Sequence, residues 1–158
     1  MYNQVTDSLI EETLKKCENS SRKRAMCCLH KKGDYLQRMI NACLKGTYFA
    51  PHKSEGPQKL KIFTILKGRA AVIYFDDSGE IKECAVLDEK GPVRAAEVPP
   101  LTWCSMVILS ERAVFFEIVT GEYNPKTHKH FAPWAPLEND ANASAYLEEL
   151  EDKINLHI

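Results

Sequence analysis

From about residue 34 to residue 120 the chain alternates short β-rich runs with turn signals, and few stretches there have the length or period of a helix. The runs are Tyr35 to Leu44, Leu60 to Leu66, Ala70 to Phe75, Glu80 to Leu87, Arg94 to Val98, Thr102 to Leu109 and Arg112 to Val119. Leu60 to Leu66 stops at Gly68. Asp76-Asp77-Ser78-Gly79 has the composition of a hairpin turn and makes the runs on either side of it antiparallel partners. Ser110-Glu111 joins the last two runs by a tight connection. Short strands of this kind, with a turn every eight to twelve residues or so, call for a closed or double-sheet architecture: a sandwich, jelly roll or barrel.

The two ends read as helices. Ser8 followed by Glu11 has the form of a capping box, and Ile10, Leu14 and Cys17 recur at helical spacing, so a short amphipathic helix is expected from about Ser8 to Glu18. Asn139 or Asp140 is placed to cap a second helix. In it Ala143, Leu147, Leu150 and Ile154 form one stripe while Glu148, Glu149, Glu151 and Asp152 face away, which makes it a packing arm or a partner-binding face. Before it, Phe131-Ala-Pro-Trp-Ala-Pro136 is expected to be irregular, because each Pro removes a donor and biases its predecessor to an extended form. This tail wraps the outside of the sheet, with Trp134 covering apolar surface. At 158 residues the chain makes one domain: an N-terminal helix and arm over 1–33, a β-barrel over 34–120, and the Pro-rich tail with the C-terminal helix over 121–158.

Charge and composition exclude whole classes of function. With 21 Lys and Arg against 22 Asp and Glu the net charge is −1, which lacks the surplus of a general nucleic-acid binder or a polybasic membrane protein. The longest apolar stretch, Ala70 to Phe75, is far short of the ~20 residues of a bilayer-spanning helix. The first residues have no basic region followed by an apolar core, so a cytoplasmic protein is expected, with neither nucleic acid nor membrane as partner. The cysteines fit that setting. Cys17, Cys27, Cys28, Cys43, Cys84 and Cys104 show no Cys-x-x-Cys and no zinc-finger spacing, and read as mostly buried thiols.

The informative stretch is Gly46-Thr47-Tyr48-Phe49-Ala50-Pro51-His52-Lys53-Ser54, followed by Leu60-Lys61-Ile62-Phe63-Thr64-Ile65-Leu66-Lys67-Gly68. Here the sequence resembles the cupin superfamily, small-barrel proteins whose first motif has the form G-x5-H-x-H-x(3,4)-E-x6-G, with a second motif supplying a further His. More closely, it is similar to the WbuC-type cupin-fold metalloproteins over most of the chain from Arg22 to Pro136. The matching segments are Arg22-Lys23-Arg24-Ala25, His30, Gln37-Arg38-Met39, Gly46-Thr47-Tyr48, Pro51-His52, Ile65-Leu66-Lys67-Gly68 and the closing Phe131-Ala-Pro-Trp-Ala-Pro136. The resemblance implies a mainly β fold, a cupin-type jelly-roll β-barrel (double-stranded β-helix) with short helices at both ends. It also implies a homodimer and a connection with bacterial surface-polysaccharide biosynthesis.

Against the family pattern most metal ligands are replaced. His-x-His would put two imidazoles on one face of a strand, since residues i and i+2 point the same way. Here only His52 remains: Ser54 stands at the second histidine, Lys61 at the glutamate and Cys104 at the histidine of the second motif. A catalytic metal needs about three protein ligands and an open position, and a lysine for the glutamate puts a cation where the metal's own charge would be. No metal cofactor is therefore expected, with His52 and Cys104 the residual candidates should zinc, iron, nickel or manganese be held. Glu55 would rejoin them only through a register slip or bulge, its ordinary place being the exposed turn Glu55-Gly56-Pro57.

With the barrel intact, His52, Ser54, Lys61 and Cys104 converge on one cavity. Tyr48, Gln37 and Arg38 are further polar candidates, although period two keeps Gln37, Met39 and Asn41 off the face that Arg38 and Ile40 share. Such a set suits an anionic small molecule, with Lys61 as fixed positive charge for a carboxylate or phosphate. Arg22, Arg24 and His30 are expected at the pocket mouth, steering a sugar-phosphate or nucleotide-sugar anion. Cys104 is the candidate nucleophile, against the plainer role of an apolar filler beside Thr102, Met106 and Ile108. His128 and His130, in a Lys-rich loop, read as solvated. The expected function is a small-molecule-binding cupin with a degenerate metal site, taking an anionic or carbohydrate-related metabolite. The alternatives are a metal-dependent cupin enzyme (sugar isomerase, epimerase or dioxygenase-like) with a non-standard site, and a structural dimer module whose cavity is filled by Phe63, Phe75 and Trp103.

Overall fold

The computed structural model describes residues 4–56 and 59–157. In chain order it contains α1 (Asp7–Glu18), β1 (Arg24–Cys28), β2 (Leu36–Leu44), β3 (His52–Lys53), β4 (Lys61–Lys67), β5 (Arg69–Phe75), β6 (Ile81–Asp88), β7 (Ala95–Val98), β8 (Trp103–Ile108), β9 (Arg112–Thr120), β10 (His130–Phe131) and α2 (Ala143–His157). The strands form two five-stranded antiparallel sheets, ordered β1-β2-β9-β4-β7 and β10-β3-β8-β5-β6. The fold is thus mainly β, a jelly roll flanked by a helix on each side. No helix of the described residues is long and apolar enough to cross a membrane.

Two-residue alternation sorts the apolar side chains into three clusters. Between the sheets lie Cys43, Ile65, Val72, Leu87, Val98, Met106, Ile108 and Phe115. The outer face of the first sheet meets α1, where Ile10, Leu14 and Cys17 pack on Ile40, Ala42 and Val114. The outer face of the second sheet is covered by α2 and the tail, with Leu147, Leu150 and Ile154 over Ile73, Val107 and Trp103. Every residue of β8 is buried, because both faces of that strand are covered.

The Asp76 hairpin forms as its composition requires: the Asp76 carboxylate accepts from the Ser78 and Glu80 amides, and Gly79 takes a φ of +92°. At Gly68 φ is +77° and a Cβ would lie 2.1 Å from the Arg112 carbonyl oxygen, so only glycine ends β4 here.

Several local expectations are corrected. The cap of α1 is Thr6 and not Ser8: Thr6 is extended and its Oγ1 accepts from the Leu9 amide, while Ser8 is already helical. Asp140 turns its carboxylate onto the Leu137 amide, closing the turn before α2, and its carbonyl accepts from the Ala143 amide. The N-terminal arm contains a strand, β1, whose formation depends on pairing with β2 from Arg24↔Cys43 to Cys28↔Met39. Phe131, expected to be irregular, pairs with His52 because it precedes the prolines and keeps its amide. The tail then wraps the second sheet as expected, and Trp134 stacks near Phe75 and Trp103.

Leu14 is almost fully buried beneath α1. Leu14→Ala is expected to cost about 2–5 kcal/mol in urea unfolding, while Glu12→Ala, on the exposed face of the same helix, stays within about 0.5 kcal/mol.

Candidate functional site

Strand register decides which side chains enter the space between the sheets. In the first sheet Gln37, Val119 and Lys61 stand directly opposite one another on β2, β9 and β4, and Met39, Glu117 and Phe63 form the next row. In the second sheet His52, Cys104 and Tyr74 lie in one row across β3, β8 and β5. Asn41, Glu117, Phe63 and Tyr74 are only partly buried, so this polar end of the inter-sheet space, the chamber, is less tightly sealed than the core cluster beside it.

The centre of the chamber is a contact between Lys61 and His52. The Lys61 Nζ lies 3.1 Å from His52 Nε2, and His52 Nδ1 lies 3.0 Å from the Ala50 carbonyl oxygen. A carbonyl only accepts, so Nδ1 carries the proton and Nε2 presents its lone pair to the ammonium. Both side chains are buried. Burial, with Lys61 as the next cause, holds His52 well below the ordinary imidazole value, and the ring is neutral at neutral pH.

Cys104 is buried beside them, its S–H donating to the His52 carbonyl at 3.5 Å while the ring's own nitrogens are engaged elsewhere. Burial pushes this thiol up, against the pull of Lys61, which disfavours a thiolate nucleophile. Cys104 shares the inner cluster with Met106 and Ile108, as alternation requires, whereas Thr102 lies before the strand.

Glu117 is the residue that sequence reasoning missed. Its carboxylate accepts from Asn41 Nδ2 at 2.6 Å, and it is the diagonal neighbour of Lys61 on the inner face. Burial raises its pKa and the Lys61 charge opposes that rise. The signal was present in β9: Ala113, Phe115, Glu117 and Val119 share one face, leaving a lone acid in an apolar row. Lys129, also missed, adds a second cation near the chamber. Desolvation and then repulsion from Lys61 lower its pKa, although much of its surface still meets water.

The remaining predicted residues divide. Gln37 points inward and donates to the Gly121 carbonyl at 2.8 Å. Ser54 is buried, but its hydroxyl donates to the His128 carbonyl and clips the 121–130 connection in place. Tyr48 is not in the chamber. Its hydroxyl donates to the Pro136 carbonyl and its ring meets Tyr146 edge-on under α2. Arg38 is also excluded, because alternation turns it outward to pair with Asp34 at 2.8 Å.

Arg22 and Arg24 both grip Glu138, at 2.8 and 2.6 Å, and hold its carboxyl down at about 2. Arg24 also donates to Thr47 Oγ1 and the Tyr48 carbonyl, so this pair fastens the tail and does not line the mouth. His30 does line it. A cavity of about 310 Å³ opens between β1, the loop after it and the 121–130 connection, with Met26, Cys28, His30, Gln37, Met39 and His128 among its walls. A larger depression of about 670 Å³ lies at the other end of β2, around Lys23, Leu44 and Arg112, and contains none of these residues.

The donor set does not fit the divalent cation that the sequence resemblance implies. The one retained histidine gives its free lone pair to an ammonium, and among the described residues no three His, Cys, Asp or Glu side chains cluster as a metal site. Glu55 is exposed and pairs with His130 at 2.9 Å, outside the chamber; Pro57 of its predicted turn lies outside the described residues. His130 is likewise half-exposed, whereas His128 is partly buried with its ring edge on Tyr123. Of the three aromatics expected as fillers only Phe63 faces inward, Phe75 and Trp103 being packed under α2 and the tail.

Comparison with known proteins agrees with this architecture. Residues 5–87 match the family model described as "Domain of unknown function (DUF6016)", and the chain belongs to that family. No curated protein matches the chain. Among solved structures it is similar to the capsular polysaccharide assembling protein CapF from Staphylococcus aureus, with 16% identity, 71% of this chain and 32% of that one covered, and a TM-score of 0.57. For KdgF from Halomonas sp. the values are 17%, 63%, 82% and 0.51. For the Cnp3 cupin domain of Schizosaccharomyces pombe they are 14%, 63%, 62% and 0.50. The chain thus spans less than two thirds of the Cnp3 domain and about a third of CapF. These likenesses establish the fold, a cupin-type jelly roll.

His52 and His128 both stay neutral in the fold, His128 being held at about 4 by burial and the nearby Lys129 and Lys61. A depressed imidazole contributes stability above its unfolded value near 6.5 and loses it as pH falls. Glu117, raised in the fold, has the opposite sign and offsets part of this at acidic pH. The expected outcome is that the wild-type urea midpoint, measured relative to a His52→Asn, His128→Asn variant, falls from about pH 8 to about pH 5. A constant gap would show that the imidazoles protonate freely inside the fold.

Proposed function

We propose that the chain is a small-molecule-binding cupin-fold protein whose chamber takes an anionic or carbohydrate-related metabolite, with the Lys61 ammonium standing where related proteins hold a metal. The observation that carries this reading is the Lys61 to His52 Nε2 contact of 3.1 Å, which engages the lone pair a metal would need. Lys61 and Lys129 against Glu117 leave the chamber region with a surplus of positive charge for a carboxylate or phosphate. That one structural neighbour, CapF, is a capsular polysaccharide assembling protein supports a link to surface-polysaccharide biosynthesis, as does the WbuC-type pattern of the sequence. We propose further that the protein works as a cytoplasmic homodimer, with neither nucleic acid nor membrane as partner.

The second reading, a metal-dependent enzyme, needs His52, Cys104 and Glu117 as ligands, and these do not come together as a metal site among the described residues.

Native mass spectrometry of protein purified without chelator or affinity tag is expected to show a small anionic molecule retained by the wild type and lost from Lys61→Met, which keeps the side-chain length without the charge. Near one equivalent of zinc, iron, nickel or manganese in elemental analysis would overturn the proposal in favour of the enzyme. The Ser54→His, Lys61→Glu, Cys104→His triple variant frees His52 Nε2 and adds three donors. It is expected to take up about one divalent cation per chain.

A further inference from the structure

Three sulfur side chains meet at the cavity on the edge of the sandwich. Arg24, Met26 and Cys28 share one face of β1, because residues two apart on a strand point the same way. The register sets Arg24 opposite Cys43, Met26 opposite Asn41 and Cys28 opposite Met39. Cys43 belongs to the inter-sheet core, so this is the inward face, while Ala25 and Cys27 turn to α1. Met26, Cys28 and Met39 all line the cavity of about 310 Å³.

The backbone spacing suits a shared ligand. Residues directly opposite on antiparallel strands have Cβ atoms about 4.5–5.5 Å apart, and this is the relation of Cys28 to Met39. Met26 lies two residues along β1 from Cys28, about 7 Å, a gap that an unbranched side chain with three rotatable bonds can span. Because β1 is the outer strand of its sheet, Met26 is exposed by 54% and the Cys28 thiol is exposed as well. An ion can therefore enter from solvent, with the mostly covered Met39 as the inner wall.

The donors select the kind of ion. Thioethers and thiolates are soft ligands that suit monovalent copper, whereas magnesium, calcium and manganese take oxygen. The carboxylates nearby are already hydrogen-bonded: Asp34 accepts from Arg38 and the Lys31 amide, and Glu117, next to Met39 in its row, accepts from Asn41. Charge points the same way. Lys31 and Lys32 line the cavity, and a monovalent ion on the Cys28 thiolate leaves the site neutral beside them, where a divalent one would leave a positive charge. Binding forms the bond from Cys28 Sγ to the metal and releases the thiol proton to solvent, with no change of oxidation state. Desolvation raises this thiol, so Cys28 keeps its proton until a metal displaces it.

We propose that Met26, Cys28 and Met39 form a three-sulfur site for a soft monovalent cation, copper(I), at the open edge of the jelly roll. The site uses none of His52, Lys61 and Cys104, and it goes beyond the small-molecule reading of the chamber.

Anaerobic titration of the reduced full chain with copper(I) bicinchoninate tests the assignment, since loss of the chromophore reports transfer of the metal. The wild type is expected to take one copper(I) per chain from the chelator, and Cys28→Ser to lose this uptake. Met26→Leu and Met39→Leu nearly conserve volume, so the fold is kept, and each is expected to weaken binding at least about tenfold. Cys27→Ser, on the opposite face of the same strand, leaves binding unchanged. X-ray absorption at the copper edge gives a second measurement, with three sulfur neighbours expected in the wild type and two in Met26→Leu. The proposal is overturned by absence of uptake, by uptake that Cys28→Ser retains, by affinities unaltered in both methionine variants, by loss of binding in Cys27→Ser, or by a copper shell made mainly of nitrogen.

Discussion

Two-residue alternation, held in register by cross-strand pairing, determines which chemistry this protein can assemble. On β9 it gives Val114 and Phe116 to α1 and gives Phe115, Glu117 and Val119 to the chamber. A slip of one residue in β9 would bury Arg112 against the interior and carry Glu117 to the helix face. Helix α1 resists that slip, because Leu14 and Cys17 fit only against Ile40, Ala42 and Val114. The chamber's polar row is therefore fixed from outside, by apolar packing on the faces that turn away from it.

A buried ammonium is costly unless its charge is met, since burial penalises the ionised form by several kcal/mol. Lys61 is met in two ways: directly by the His52 lone pair, and diagonally by Glu117, which Asn41 orients. The chamber therefore holds an acid although position 61 is a lysine. The carboxylate enters from β9 instead of β4, and the charge order of the site is inverted and not erased. The thiol at position 104 suits such a site, because it fills space without adding another charge.

Much of the architecture was legible in the sequence, because hairpin turns and alternating apolar runs are local signals. The Asp76 turn, the β5–β6 pairing and the α2 stripe all follow from neighbouring residues. What was not legible depended on partners far along the chain. Arg24 to Cys28 becomes a strand only because β2 offers an edge, and nothing in Arg-Ala-Met-Cys-Cys announces that. Whether Gln37 or Arg38 faces inward could not be decided until β9 and α1 fixed the sides of β2. His52, Lys61 and Cys104 were placed by motif spacing, and the structure brings these three together. Tyr48 was carried in with the same motif, yet the Pro136 carbonyl draws its hydroxyl to the opposite face of the second sheet. Glu117 was overlooked because the strand was read as a length and not as two faces.

The 121–130 connection runs beside both the chamber and the edge cavity, here called the mouth, and gives them a shared support. Ser54 holds the His128 carbonyl, the Glu55 amide donates to Thr127, and the Lys59 ammonium reaches the Gly121 and Glu122 carbonyls. All three anchors come from the segment between His52 and Lys61, the two residues whose contact defines the chamber. His128 and Lys129, adjacent on this connection, belong one to the mouth and one to the electrostatics of the chamber. The residues that flank the His52 to Lys61 contact thus also hold His128 and Gly121 in place.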